Sequence, residues 1–218
     1  MYWSKNFAYI VGLMATDGNL SKDGRHFDFT SKDLEQIRNF KNILNLKNKI
    51  GKKNSGSNST KIYHRVQFGN VKLYKFLLSI GLHPNKTKTL AEVNIPDIYF
   101  ADYLRGYLDG DGYSYSYWDK RWRSSFLLYI GFVSASRKHL EWLKDKISKL
   151  YKAKGAIKYG GKSAYQLVYA KASSIILSKK IYYTDNIICL KRKRFKIEKA
   201  LGIIDKQAGM LKLVNRHA

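Results

Sequence analysis

Cysteine is nearly absent from this 218-residue chain. Cys189 stands alone, so neither an intrachain disulfide nor a thiolate zinc site can form. Proline is almost as rare, and both copies, Pro84 and Pro96, fall near the middle of the sequence. No apolar run approaches the roughly 20 residues of a membrane helix. The longest, Phe7 to Ala15, has nine residues and includes Gly12. The opening Met1-Tyr2-Trp3-Ser4-Lys5 leads into that run without an export cleavage site. The expectation is an intracellular protein, in the cytoplasm of a prokaryote or in an organelle. Acids are also scarce: 16 Asp and Glu face 41 Lys and Arg, for a net charge of +25.

A self-repelling charge of that size destabilises the compact state unless a polyanion sits beside it. Nucleic acid is the leading partner, because neutralising phosphates releases counterions. An anionic membrane surface explains the charge less well. The basic residues are spread along the chain among 17 tyrosines and form no single cationic amphipathic helix. A hydrophobic fraction of 44% supplies enough apolar side chains for a folded core and argues against a disordered basic tail.

The chain repeats itself. Residues 9–18 read Tyr-Ile-Val-Gly-Leu-Met-Ala-Thr-Asp-Gly and residues 103–112 read Tyr-Leu-Arg-Gly-Tyr-Leu-Asp-Gly-Asp-Gly. Tyr, Gly, Asp and Gly recur at matching places. Leu34-Glu35 answers Leu140-Glu141, and Tyr63-His64-Arg65-Val66 answers Tyr165-Gln166-Leu167-Val168. The two prolines lie between the copies, so 1–82 and 98–218 read as two repeats joined by a linker over 83–97. Each copy predicts helix, hairpin, helix, hairpin, helix. The helices fall at about 4–16, 32–45 and 71–80, then at 98–110, 136–150 and 171–180. Ser31, and Ser134 or Ser136, are the expected caps of the middle helices. A basic helix is expected to open at Leu190. The class is α+β: two pseudo-symmetric αββαββα repeats with antiparallel sheets.

Gly12 and Thr16, like Gly106 and Gly110, lie four apart on one helix face. Glycine inside a helix costs roughly 0.8–1 kcal/mol relative to alanine. Two such small faces make sense if the two helices pack closely together. Asp17 and Asp111 then end the two helices, each before a glycine expected to take a left-handed cap. A carboxylate there meets the negative end of the helix dipole, and two meeting carboxylates repel unless a cation joins them. Converging hard oxygens beside a phosphate-binding surface are what Mg²⁺ and metal-assisted phosphodiester hydrolysis require. A lone Asp-Gly reads as a turn or helix stop; its repetition within one decapeptide favours the metal-site reading. Thr16 and Gly110, just before the acids, complete the candidate metal set. Asp109 answers Ala15, so it reads as a supporting acid rather than a reacting one.

Ile10 to Gly18 and Leu104 to Gly112 resemble two LAGLIDADG motifs, and the repeat order extends the resemblance over essentially the whole chain. The resemblance implies a monomeric homing endonuclease carried by a mobile intron or intein. An archaeal intron is one such host. It implies sheets forming a saddle on the major groove of a long double-stranded DNA target. It also implies one catalytic Asp per motif, and Mg²⁺ between acids and scissile phosphates, with Mn²⁺ or Ca²⁺ able to occupy the same place. Family members use a basic residue after the third helix. Here that is Lys86 or Lys88, and Lys191 or Lys193; the sequence does not choose. The polar residue near the end of the second strand has only Ser31 and Ala135 as its nearest matches.

Strand alternation sends every second side chain to the open face. Ile62, Val66 and Phe68 are expected inward, and Lys61, Tyr63, Arg65 and Gln67 outward. Arg25, His26, Asp28 and Thr30 extend that face. The second repeat offers Tyr113, Tyr115, Tyr117, Lys120, Arg121, Arg123, Ser125 and Tyr129. Arg and Gln can read guanine and adenine edges, while Lys more often holds phosphate. For the tyrosines, cross-strand packing is an equal alternative. His64 is expected inward, as a satisfied core residue. Two other functions stay open. One is an RNA maturase that binds intron RNA. The other is a DNA-binding protein of this fold that does not cut.

Overall fold

A computed structural model describes residues 2–54, 62–122, 125–161 and 163–214. Two helices form its spine. The first, α1 (Lys5–Thr16), starts where the Ser4 hydroxyl accepts from the Phe7 N–H at 3.1 Å. Its counterpart α4 (Phe100–Asp109) follows a short 3-10 turn at Asp97–Tyr99. The apolar run Phe7–Ala15 is buried on every side, as a helix apolar all round must be. Nine residues of α4 are buried too, among them the charged Asp102, Arg105 and Asp109.

Around this spine each repeat builds one sheet in the same order. Strands β1 (Gly18–Leu20), β2 (His26–Ser31), β3 (Gly51–Asn54) and β4 (Ile62–Gly69) lie as β1-β2-β4-β3. Strands β5 (Gly112–Trp118), β6 (Phe126–Ser134), β7 (Gly155–Gly161) and β8 (Ala164–Tyr169) lie as β5-β6-β8-β7. All pairs are antiparallel. Helices α2 (Leu34–Ile43) and α5 (Arg137–Tyr151) cover the inner sheet faces through Ile37 and Phe40, and through Leu140, Leu143 and Ile147. Phe40 stacks on Phe29 of β2 at 4.1 Å. Helices α3 (Val71–Ser79) and α6 (Lys171–Ile181) close the repeats. The architecture is the α+β pair of αββαββα repeats that the sequence pattern implies.

Several local expectations are corrected. Gly18 and Gly112 are not left-handed; positive φ occurs among glycines at Gly24, Gly81 and Gly161. Both instead open strands pressed onto the preceding helix. A Cβ on Gly18 would lie 2.4 Å from the Met14 sulfur, and one on Gly112 2.5 Å from Leu108 Cα. Ser31 is no helix cap. It is buried, accepts from the Asp33 N–H at 3.1 Å and donates to Gln36 Oε1 at 2.7 Å. Ser136 does hold the cap position of α5, but its hydroxyl donates to Leu90 O. Ile62 is 50% exposed rather than packed inward, because it lies near the hairpin tip. His64 is half-buried rather than a core residue.

The segment over 83–97 is no solvated tether. Leu90, Val93 and Ile95 are buried, and α5 holds the backbone through His139 Nδ1 on Ala91 O and Lys146 Nζ on Ile95 O. The chain after Leu190 forms α7 (Lys191–Val214). Its Ala200 and Ile204 cover Phe126 and Leu128 on the inner face of β6. Among the described residues, no helix is long and apolar enough to cross a membrane.

Candidate active site and nucleic-acid face

The small helix faces meet. A Cβ on Gly12 would lie 2.2 Å from Tyr103 O, and one on Gly106 2.1 Å from Tyr9 O. At the tips, a Cβ on Gly110 would lie 2.0 Å from Thr16 Oγ1 and 3.1 Å from Asp17 Oδ2. Only glycine allows backbones this close. The close approach brings Asp17 and Asp111 within electrostatic reach of each other.

Burial first, and the Asp111 charge second, push the Asp17 carboxyl up to about 7 against the pull of Lys193, Lys86 and the Gln36 hydrogen bond. Asp111 is exposed at its outer side, yet burial of its carboxyl raises it too, opposed by the same two lysines. Burial lowers Lys86 to about 8 while Asp111 and Asp17 hold it up. Lys193 is lowered by burial in the same way, with Asp109, Asp17 and Asp111 opposing. The two lysines occupy matching places. Lys86 Nζ donates to Gly18 O, and Lys193 Nζ donates to Gly112 O at 2.7 Å. Lys193 also takes Leu108 O, Asp109 O and Gly110 O, and so caps the end of α4. Lys88 and Lys191 are exposed, and Lys191 meets Glu35 through its backbone N–H.

One polar neighbour was missed by the sequence reading. Gln36 of α2 is buried and donates to Asp17 Oδ2 at 3.4 Å, with its other end held by Ser31. A polar residue beside Ile37 on the buried stripe of α2 was the available signal. Sheet register sets Ser31 against Ser134, so Gln36 matches His139 and Leu34-Glu35 matches Arg137-Lys138 rather than Leu140-Glu141; His139 turns away to Ala91 O and Tyr103 OH. Asp109 has a supporting place: its Oδ2 accepts from Tyr9 OH at 2.9 Å and from the Leu190 N–H at 2.7 Å, tying α4 to α1 and to the start of α7.

A cavity of about 50 Å³ lies beside Asp111, lined by Thr16, Lys86, Tyr107 and Ser134 among others. That is room for a water or a small ion. Among the described residues no three His, Cys, Asp or Glu side chains converge. Thr16 Oγ1 folds back onto Gly12 O and Leu13 O, and Gly110 O is engaged by Lys193. A divalent ion would therefore find two carboxylates here and take its other oxygens from water or phosphate, which suits Mg²⁺.

On the open face of the first sheet, His26, Asp28 and Thr30 are half-buried and Gln67 is exposed. Asp28 holds Arg65 at both ends, Oδ1 to Nε at 2.9 Å and Oδ2 to Nη2 at 2.5 Å, and accepts from Thr30. Arg25 is exposed with its Nε on His26, and Tyr63 is half-buried. Lys61 and Arg123 lie outside the described residues. On the second sheet Tyr113, Tyr115, Tyr117 and Tyr129 form a stacked ladder, tightest between Tyr115 and Tyr129 at 4.8 Å. Lys120 is exposed, and Arg121 pairs with Asp119 at 3.3 Å. Ser125 closes the hairpin turn, its N–H on Trp122 O.

Two like-ordered sheets and two meeting helix tips, each with an acid and a lysine, define a two-repeat protein with pseudo-twofold symmetry. Residues 4–81 match the LAGLIDADG-like domain family. None of the curated proteins matches in sequence. Among solved structures, the homing endonuclease I-WcaI bound to its DNA recognition sequence is similar at 14% identity and TM-score 0.61, over 90% of this chain and 88% of that one. I-DmoI in complex with DNA and Mn is similar at 17% identity and TM-score 0.52, over 83% and 98%. Full-length DUF199/WhiA from Thermatoga maritima is similar at 12% identity and TM-score 0.58, over 100% and 68%. The family match is carried by the first repeat, and the whole chain has the fold seen in the homing endonucleases I-WcaI and I-DmoI. WhiA shares that fold, and at these identities the likeness shows the fold alone.

Proposed function

We propose that this chain is a divalent-metal-dependent endonuclease that cuts double-stranded DNA at a specific long site, as intron or intein homing requires. The observation that carries the reading is the acid pair on the helix tips, flanked by the buried Lys86 and the half-buried Lys193. A protein that only binds gains nothing from mutually repelling carboxylates placed against phosphates.

Asp17 and Asp111 would hold the metal, which when bound supplies an activated water and charge stabilisation at the cleaved phosphate. Lys86 and Lys193, anchored on matching glycine carbonyls, place positive charge where a leaving oxygen develops negative charge. Gln36 orients Asp17. Both half-sites come from one chain, so a monomer suffices. The DNA-bound state of I-WcaI and the DNA and Mn of I-DmoI accord with this reading. The non-cutting alternative, whether intron-RNA binding or DNA binding alone, accounts for the charge of +25 but not for the acid pair.

Cut-site selection from a randomised duplex library in Mg²⁺ tests the reading. Wild type should release double-strand ends at one consensus. Asp17→Asn and Asp111→Asn should bind that consensus and leave it uncut. Normal cutting by both variants refutes the site. Binding of structured RNA without any DNA cutting hands the case to the maturase reading.

A further inference from the structure

The two sheets share strand order and register, so their open faces can be compared position by position. Ser31 pairs with His64, and Ser134 with Tyr165. Counting back from these ends, Asp28 matches Gly131, Thr30 matches Val133, and His26 matches Tyr129. On the neighbouring strand Arg65 matches Gln166, and Gln67 matches Val168. Of this charged and polar set only the Arg65 position stays polar on the second sheet, as Gln166; the others become glycine, valine and tyrosine.

The first face is built for direction. Arg65 is held as a fork by Asp28, and Asp28 in turn accepts from Thr30. Asp28 occupies the Nε–Nη2 edge of Arg65 and fixes the guanidinium, so that its Nη1 edge is the one offered to a guanine. The second face is built differently. Leu127, Val133 and Val168 reach its open side beside the tyrosines. The Tyr113 ring lies flat over Gly131, where a Cβ would be 2.3 Å from its Cζ, and its hydroxyl is spent on Gln166 Oε1 at 2.7 Å. The remaining rings stack nearly parallel, at 3° between Tyr115 and Tyr117 and 9° between Tyr115 and Tyr129. A tyrosine hydroxyl both donates and accepts, so it pairs with any base edge and separates few. Gln166, whose Oε1 is taken by Tyr113, and the exposed Lys158 across from it are the polar exceptions on this face; what the rest of the surface can tell apart is an apolar projection, and in the major groove that is the thymine methyl.

Resting on the duplex-binding reading above, we infer that the chain reads its two half-sites by different chemistry. The half beneath β1–β4 is specified by hydrogen bonds. The half beneath β5–β8 is selected for thymine methyls and carries less sequence information.

The test uses wild-type protein and duplexes enriched from a randomised library without cutting. Arg65→Ala, and separately Gln67→Ala, mark the half read by the first sheet as the one whose base preference relaxes. The opposite half should be thymine-rich and degenerate. Replacing its thymines by deoxyuridine should weaken binding roughly three- to fourfold per contacted methyl, the change expected of about one buried methyl group. The same replacement in the marked half should change binding less than twofold. A second half as sharply specified as the first, or one indifferent to deoxyuridine, overturns the inference and leaves duplex recognition standing. Failure to enrich any duplex overturns both.

Discussion

Replacing Asp17 by asparagine should stabilise the metal-free protein while destroying its cutting activity. The carboxyl titrates near 7 in the fold because burial and Asp111 outweigh Lys86 and Lys193. In the unfolded chain it titrates near 3.8. Between these values the folded state binds the extra proton, so this residue's contribution to stability falls as pH rises from about 4 to 7 and stays unfavourable above. The full penalty above pH 7 would be about 4 kcal/mol. Water reaches the helix tip, so about 1–2 kcal/mol is the reasonable expectation. For a chain of this length that is roughly 3–8 °C in Tm.

The assay is thermal unfolding of wild type and Asp17→Asn in chelator at pH 8 and pH 4. The difference between them matters, since titrations elsewhere cancel in it. The variant should melt higher at pH 8, and the gap should narrow to less than half at pH 4, close to the unfolded-chain value. Saturating Mg²⁺ at pH 8 should raise wild type and leave the variant unmoved. A variant no more stable than wild type at pH 8, or a gap unchanged between the two pH values, would refute the reasoning that the acid pair is strained until a cation joins it.

Gly106→Ala puts a methyl 2.1 Å from Tyr9 O; the helices must part, costing about 1–3 kcal/mol net despite the better helix propensity. Cutting should fall about 100-fold for each ångström of displacement, as measured in single-turnover kinetics with the selected site. Lys193→Met leaves carbonyls at the end of α4 without their donor, which should lower stability in denaturant titration by about 1–3 kcal/mol and slow cutting. Tyr9→Phe removes one of two donors to the buried Asp109 Oδ2, and a loss of about 1–3 kcal/mol in the same titration is expected.

What could be read from the sequence followed from how local its cause was. The two spine helices were visible because a decapeptide recurs, and the strands were visible because Phe27, Phe29, Phe126 and Leu128 alternate. The glycines at Gly18 and Gly112 were visible as glycines but not for the right reason. A left-handed cap is a local device, whereas contact with Met14 or Leu108 depends on where the strand is pulled next. Lys193 could have been chosen over Lys191, since Lys193, Ile197, Ala200 and Ile204 share one helix face, and the last three are buried. Lys86 could not. It is buried because Asn85 takes a left-handed φ of 58° and turns the chain inward, a choice made by packing.

That pair of lysines also explains why the linker and the tail are parts of the site. Each repeat proper supplies an acid at a helix tip, but neither supplies its own lysine from within its αββαββα core. Lys86 comes from the segment joining the repeats and Lys193 from the helix after the second, yet both reach the carbonyl of the glycine following the acid. The symmetry of the centre is therefore closed by two Lys-x-Lys stretches of different structure, a 3-10 turn and a long helix. Each closes it by the same physical device, an ammonium drawn into a buried place by backbone oxygens and held charged there by the carboxylates it faces. If the tail only shielded Phe126 and Leu128, removing its covering residues would cost stability and spare the chemistry. If it completes the centre, Lys193→Met must slow cutting even at temperatures where the variant is fully folded.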